Sequence, residues 1–359
     1  MLFPMRNLSM IFERAIEQRT FPGGVVWLAQ GDRVAAHAAF GTTAYEAEFS
    51  RPVVRETVYD IASLTKLFTT TAFLIAARSE GVDYGSPIAR FFPVLASPDK
   101  SEITLRHLMQ HNSGIEIAIQ NLIDVPVDDW LHRIAAVPLH AVPGERVLYS
   151  CTNYFLLGRI VEQLSGQPLD QFIQSQLLRP LGMTGTFFHP LEELDREEIA
   201  PTEVETENVG EEAAPWQGIV HDEAARAVER SGGACGNAGL FSTATDLSKF
   251  AQLWLDGGAI NGNQIVAEAD IQRALTDVVD DGTAQRGLGW QIGARFYTSH
   301  LAPAGSAGHA GFTGPTFWLN PRTRHVAIVL NNRVYPTRNG LDRMPYHRRI
   351  AEWLMRGTS

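Results

Sequence analysis

The chain has 359 residues, 45% hydrophobic and 19% charged, enough to bury a sizeable core as one large domain or two modest ones. Its formal net charge of −10 argues against a nucleic-acid binder, which needs a basic stripe to neutralise phosphates. The start MLFPMRNLSM lacks the layout of a signal peptide, no window is apolar enough to span a membrane, and Cys151 and Cys235 allow at most one bridge, so a cytoplasmic protein without a disulfide framework is expected.

In chain order, Leu8, Ile11, Phe12, Ala15 and Ile16 recur at helical spacing and predict an amphipathic helix over residues 6–18, stopped by Pro22, Gly23 and Gly24. GVVWLAQ and VAAHAAF flank a polar turn at residues 31–33 and predict a β-hairpin from Gly24 to Phe40. Helical patterns follow in LFTTTAFLIAARSEG, TLRHLMQH, YFLLGRIVEQLSG and ATDLSKFAQLWLDGG, each closing near a glycine. LGWQIGARF, PTFWLN and HVAIVLN have strand composition, with NPRTR turning between the last two, and residues 341–355 read as a final helix.

The order strands, helices, strands predicts an α+β fold, with one antiparallel sheet flanked by helices and built from both chain ends. The sheet subdomain is expected over roughly residues 1–85 and 285–359, with a mostly helical subdomain inserted at 86–284, all within a single domain over 1–359. Residues 191–213 carry ten acidic residues against one arginine and read as a solvated surface loop.

Of thirty basic residues only Lys66, Lys100 and Lys249 are lysines. Lysine is the basic side chain whose proton can be removed at accessible cost, so each is a candidate for chemistry. Two of them complete an SxxK pattern, in which residues i and i+3 share a helix face and a hydroxyl can meet an amine. Ser63 and Lys66 open the apolar stretch IASLTKLFTTTAFLIAA, which could desolvate the lysine, whereas Ser97 and Lys100 lie in the polar turn ASPDKSE. The pattern arises cheaply by chance, and the second copy shows it.

Two further segments raise the first copy above chance: PGERVLYSCTNY at residues 143–154, and AGHAGFTGPTFWLNP around His309. In this order, together with FPGGVV, LRHLMQHNSGI, RPLGMTGT, VHDEAA and GNAGLFSTATDL, they resemble the serine β-lactamase and penicillin-binding protein superfamily. The likeness is to its branch of class C β-lactamases, DD-peptidases and family VIII esterases. The resemblance implies an active site in the cleft between sheet and helical subdomain, with Ser63 as the acylated nucleophile, Lys66 as its proton partner and Tyr149 as the tyrosine of the second motif. It also implies an oxyanion hole from the backbone amides of Ser63 and Phe312, and substrate contacts at Cys151, His309 and Gly311.

A phenol of ordinary pKa near 10 is a poor base at neutral pH unless positive charge stabilises its phenolate, which Lys66 would supply. Ser150, just before a helix, is expected to cap it. His107 and His111 stand four apart as in a helical zinc pair, but lack the accompanying glutamate and a third ligand, and read as structural. His221, Asp222 and Glu223 form no metal or deaminase signature. No GxSxG elbow occurs, AGSAG at residue 304 lies in the wrong setting, and neither a metal nor an organic cofactor is implied. Relatives carry a histidine where Asn237 stands in SGGACGNAG; Cys235 beside it reads as a small buried residue.

Cys151 occupies the place of an asparagine that, in β-lactamases and DD-peptidases, donates to the amide carbonyl of the substrate. A thiol is a weak donor, and Asn153, present in relatives as well, does not replace it. With no export signal seen, the expectation is a serine esterase cleaving short acyl esters, a small-molecule substrate being its partner and its oligomeric state open. The alternative is a DD-peptidase or β-lactamase-like hydrolase. A non-catalytic binding or sensor protein on the same fold is the alternative of another class, and the joint presence of SLTK, Tyr149 and HAG argues against it.

Overall fold

A computed structural model describes residues 5–118, 120–204, 214–293 and 303–357. Its strands in chain order are β1 (Gly23–Gln30), β2 (Arg33–Gly41), β3 (Tyr59–Asp60), β4 (Phe241–Ser242), β5 (Ala259–Ile260) and β6 (Asn263–Gln264). They continue with β7 (Val279–Asp280), β8 (Gln285–Arg286), β9 (Gln291–Ile292), β10 (Ala307–Ala310), β11 (Thr316–Asn320) and β12 (His325–Asn331). Among the described residues the main sheet has eight strands in the order β2-β1-β12-β11-β10-β9-β8-β7, every pairing antiparallel. Both ends of the chain build it, as the strands, helices, strands order implies.

Alternation along the strands explains why helices cover both faces. Val25 on β1, Phe317 and Leu319 on β11, and Ile328 and Leu330 on β12 enter the large core beneath the helical region. Their neighbours Val26, Leu28, Trp318, Ala327 and Val329 point the other way, into a second core closed by the helices Met5–Glu17 and Met344–Gly357. The first of these helices presents Leu8, Ile11, Phe12 and Ala15 to the sheet, the face read from their spacing.

The helix Thr65–Ser79 lies within the large core, and twelve of its fifteen residues are buried, Lys66 among them. A helix that buries nearly its whole circumference sits inside the protein, and this one takes four threonines and a lysine in with it. Helices Leu105–Gln110, Cys151–Ser165 and Ala244–Leu255 stand where the periodicity places them. The turn between β11 and β12 is held by Asn320 Oδ1, which accepts from the backbone of Arg322 at 3.0 Å and Thr323 at 2.9 Å. Of the strand expected in LGWQIGARF, only Gln291–Ile292 is strand, and residues 294–296 lie outside the described residues. No described helix is long and apolar enough to cross a membrane.

The acidic segment departs from a purely solvated loop at Glu203, which pairs with Arg338 at 2.7 Å and with His221 at 3.1 Å; residues 205–213 lie outside the described residues.

Candidate active site

The turn that presents Ser63 is built by three segments. Ala62 adopts a left-handed backbone (φ 44) just before the serine, and its N–H donates to Asp60 Oδ1 at 2.7 Å. The other oxygen of Asp60 accepts from His221 N–H at 2.9 Å, and its backbone carbonyl accepts from Thr313 Oγ1 at 2.7 Å. Burial of Asp60 lifts its carboxyl to about 7, against the two backbone donors that favour the charged form. Asp60 therefore ties the Ser63 turn to the β10–β11 loop and to the segment that carries Asp222.

Ser63 Oγ lies 2.9 Å from Lys66 Nζ and 2.9 Å from Tyr149 Oη. Lys66 also donates to the backbone carbonyl of Asn237 at 2.9 Å and approaches Cys151 Sγ at 3.6 Å. Burial works against its charge, while Cys151 and Tyr149, whose ionised forms would attract the ammonium, push the other way, and the balance lies above its ordinary value. Burial raises Cys151, so the sulfur beside Lys66 is a neutral thiol at pH 7. The ammonium stands 5.1 Å from the centre of the Tyr149 ring, and the Arg286 guanidinium 5.4 Å from it.

On the sheet side, Gly311 abuts the Ser63 turn, where an added Cβ would stand 2.5 Å from the carbonyl oxygen of Ile61. That close approach brings Phe312 to the wall of the cavity that Ser63 also lines. His309 is buried, its Nδ1 bonded to the carbonyl of Ala310 at 2.9 Å and its ring 6.0 Å from Tyr149. Burial, aided by Arg286 and Lys66, holds both His309 and His111 well below the usual histidine value, so both rings are neutral at pH 7.

The cavity has a volume of about 740 Å³ and opens on the Cys151 side of Ser63. Ile117, Leu122, Trp130, Val137 and Phe155 make an apolar wall, and Asp222 and Arg338 a polar one. A larger groove of about 980 Å³ runs along the helix Glu223–Arg230 and touches none of Ser63, Lys66 and Tyr149. The larger volume is thus not the one beside Ser63.

Ser63, Lys66, Tyr149, Cys151 and Phe312 thus come together, while His309 and Gly311 stand behind the cavity wall rather than in its lining. Asn153 is buried with its Oδ1 accepting from Ser113 Oγ at 2.7 Å, so its amide oxygen is spent away from Lys66. Ser150 holds the N-cap position of Cys151–Ser165, but its hydroxyl makes no capping bond; its backbone N–H donates to His111 Nδ1 at 3.1 Å instead. The expected cap is therefore corrected in chemistry, though not in place.

Four contributors had escaped the sequence: the carbonyl of Asn237, Asp60, His111 and Arg286. Asp60 could have been suspected as a carboxylate three residues before the serine. The Asn237 carbonyl carries no residue signature, because any amino acid supplies one.

Residues 8–352 match the family described as Beta-lactamase. An Escherichia coli (strain K12) protein named "Putative D-alanyl-D-alanine carboxypeptidase" is 31% identical over 306 residues, 77% of this chain and 69% of that protein. Among solved structures, "EstCE1, a hydrolase with promiscuous acyltransferase activity" superposes with a TM-score of 0.76 at 20% identity, covering 97% of this chain and 98% of that one. A class C β-lactamase superposes with a TM-score of 0.77 at 16% identity, covering 99% and 96%. These likenesses agree with the antiparallel sheet and its flanking helices, and the family and its named relatives indicate a serine hydrolase. A match running nearly from end to end, on a fold shared with these enzymes, means that the chain belongs to the Beta-lactamase family.

Proposed function

We propose that the protein hydrolyses esters of apolar carboxylic acids through an acyl-enzyme on Ser63. The observation that carries this reading is a serine oxygen 2.9 Å from both a buried ammonium and a phenol, at the mouth of a cavity with an apolar wall. Ser63 Oγ attacks the ester carbonyl, and its proton passes to Tyr149 Oη as the phenol's own proton passes to the leaving alcohol oxygen. Lys66 keeps its proton and stabilises the negative charge that develops between Ser63 and Tyr149. The amides of Ser63 and Phe312 receive the carbonyl oxygen. In deacylation water replaces the alcohol: it gives a proton to Tyr149, Tyr149 returns one to Ser63, and the acid leaves.

Three observations favour an ester over an acylamino substrate. Cys151 offers the cavity a weak thiol donor, Asn153 is fully buried and outside the cavity lining, and Trp130, Phe155 and Leu122 are among the residues that line it. One observation favours a second reading, a DD-carboxypeptidase. Arg286 beside Tyr149 has Nε and Nη1 buried without partners, and a guanidinium so placed suits a leaving group that bears a carboxylate.

Assays of p-nitrophenyl butyrate and octanoate beside nitrocefin and a D-alanyl-D-alanine peptide, with wild type and Ser63→Ala, separate the two. Ester turnover that exceeds the others and disappears in Ser63→Ala is expected. Faster peptide release would establish the second reading in its place, and failure of a fluorophosphonate to label Ser63 would remove both.

A further inference from the structure

We propose that His111 is a positioning residue for Tyr149, holding the phenol at its distance from Ser63 through bonds to the two residues that flank it. The inference rests on the reading of Tyr149 as the proton carrier. Tyr149 lies in a short strap ahead of the helix Cys151–Ser165 and is 43% exposed, so burial alone does not fix the phenol.

His111 ends the helix Leu105–Gln110 in a left-handed conformation (φ 58, ψ 34), one that histidine, asparagine and aspartate enter more readily than most residues. From there its carbonyl oxygen accepts from Leu148 N–H at 2.7 Å, and its Nδ1 accepts from Ser150 N–H at 3.1 Å. One residue thus holds the strap on both sides of Tyr149. The imidazole also lies against the phenol, with ring centres 4.4 Å apart, and against Tyr154 at 5.1 Å. A ring that accepts at Nδ1 carries its single proton on Nε2, the state that burial enforces at neutral pH.

A proton relay tolerates little displacement, since a 1 Å error at a reacting group can cost about 10²-fold in rate. His111 touches neither Ser63 nor the cavity and is 1% exposed, so an effect on turnover must travel through the strap.

The test uses p-nitrophenyl butyrate, or the rate at which a fluorophosphonate labels Ser63. His111→Ala deletes the side-chain acceptor, and His111→Asn restores an oxygen at the place of Nδ1 while suiting the left-handed backbone. His111→Ala should lower kcat about ten- to a hundredfold with KM held within about twofold, and His111→Asn should recover kcat to within about threefold of wild type. In a Tyr149→Phe background, His111→Ala should cost less than about twofold more, because the residue it positions has already lost its hydroxyl.

The proposal is overturned if His111→Ala keeps wild-type kcat, if His111→Asn falls as far as His111→Ala, or if the loss is undiminished in Tyr149→Phe. Should a thermal melt show His111→Ala unfolded, His111→Phe, which fills the space without an acceptor, takes its place with the same outcomes. A fully active Tyr149→Phe enzyme would instead reject the role of Tyr149 itself, a failure that needs no His111 variant to be seen.

Discussion

The two SxxK turns differ in their surroundings rather than in their spelling. Both lysines are buried, Lys66 at 0% and Lys100 at 2% exposure, so burial does not separate them. Their partners do. Lys66 meets a hydroxyl, a carbonyl and a thiol, all neutral, and keeps its charge available to Ser63. Lys100 donates at 2.7 Å to Asp99, a carboxylate that neutralises it, and Ser97 also turns to that carboxylate rather than to the lysine. Each turn also holds an aspartate: burial raises Asp60, whereas the Lys100 bond lowers Asp99. A lysine becomes a reagent when no anion claims it.

The largest expected effect sets the serines against each other. Ser63→Ala should abolish ester turnover, by about 10³-fold or more, while Ser97→Ala stays within about twofold of wild type. Equal losses would mean that the wrong turn has been chosen. Lys66→Met and Lys100→Met sharpen the same contrast at the cation. The first should cost about 10²- to 10⁴-fold in kcat, and the second should change turnover by less than about twofold, measured on samples of matched melting behaviour.

A smaller effect is expected at the thiol. Cys151→Asn offers a full amide donor to the cavity, and turnover of nitrocefin or an acylamino peptide should rise about tenfold relative to p-nitrophenyl butyrate. No rise at all would break the link between this position and substrate choice.

The smallest effect concerns the aspartates and is read as stability. Asp60 holds its proton to about pH 7 in the fold but only to about 4 when unfolded, so the native state binds the extra proton and loses stability as pH rises between those values. Relative to Asp60→Asn, which does not titrate, wild type should lose on the order of a few kcal/mol from pH 4 to 7 and level off above it. A constant difference in melting temperature across that range would show that Asp60 is ionised throughout.

The sequence made the paired turn, Tyr149 and the HAG strand legible because each depends on local spacing or on a short ordered string. The long strands β1, β2, β11 and β12 were legible from their composition, runs of five or more residues rich in apolar side chains and bounded by turn residues. The two-residue strands β7, β8 and β9 offer no period to read, and Arg286 came into view only with them. His111 was noticed for its spacing from His107 and set aside as structural. What gives it a place beside Tyr149 is a positive φ and a tautomer, neither of which is written in residue identities.

The sheet behind the cleft is completed by β1 and β12, with Gly24 opposite Asn331 and Gln30 opposite His325. A chain leaving the ribosome presents β1 and β2 long before that neighbour has been made, and Phe312 itself emerges only shortly ahead of it. Until then the β1 edge is an open row of backbone donors and acceptors, able to pair with another copy. Completion of the cleft and protection of the β1 edge therefore wait on the same late stretch of chain, from Phe312 to the end of β12.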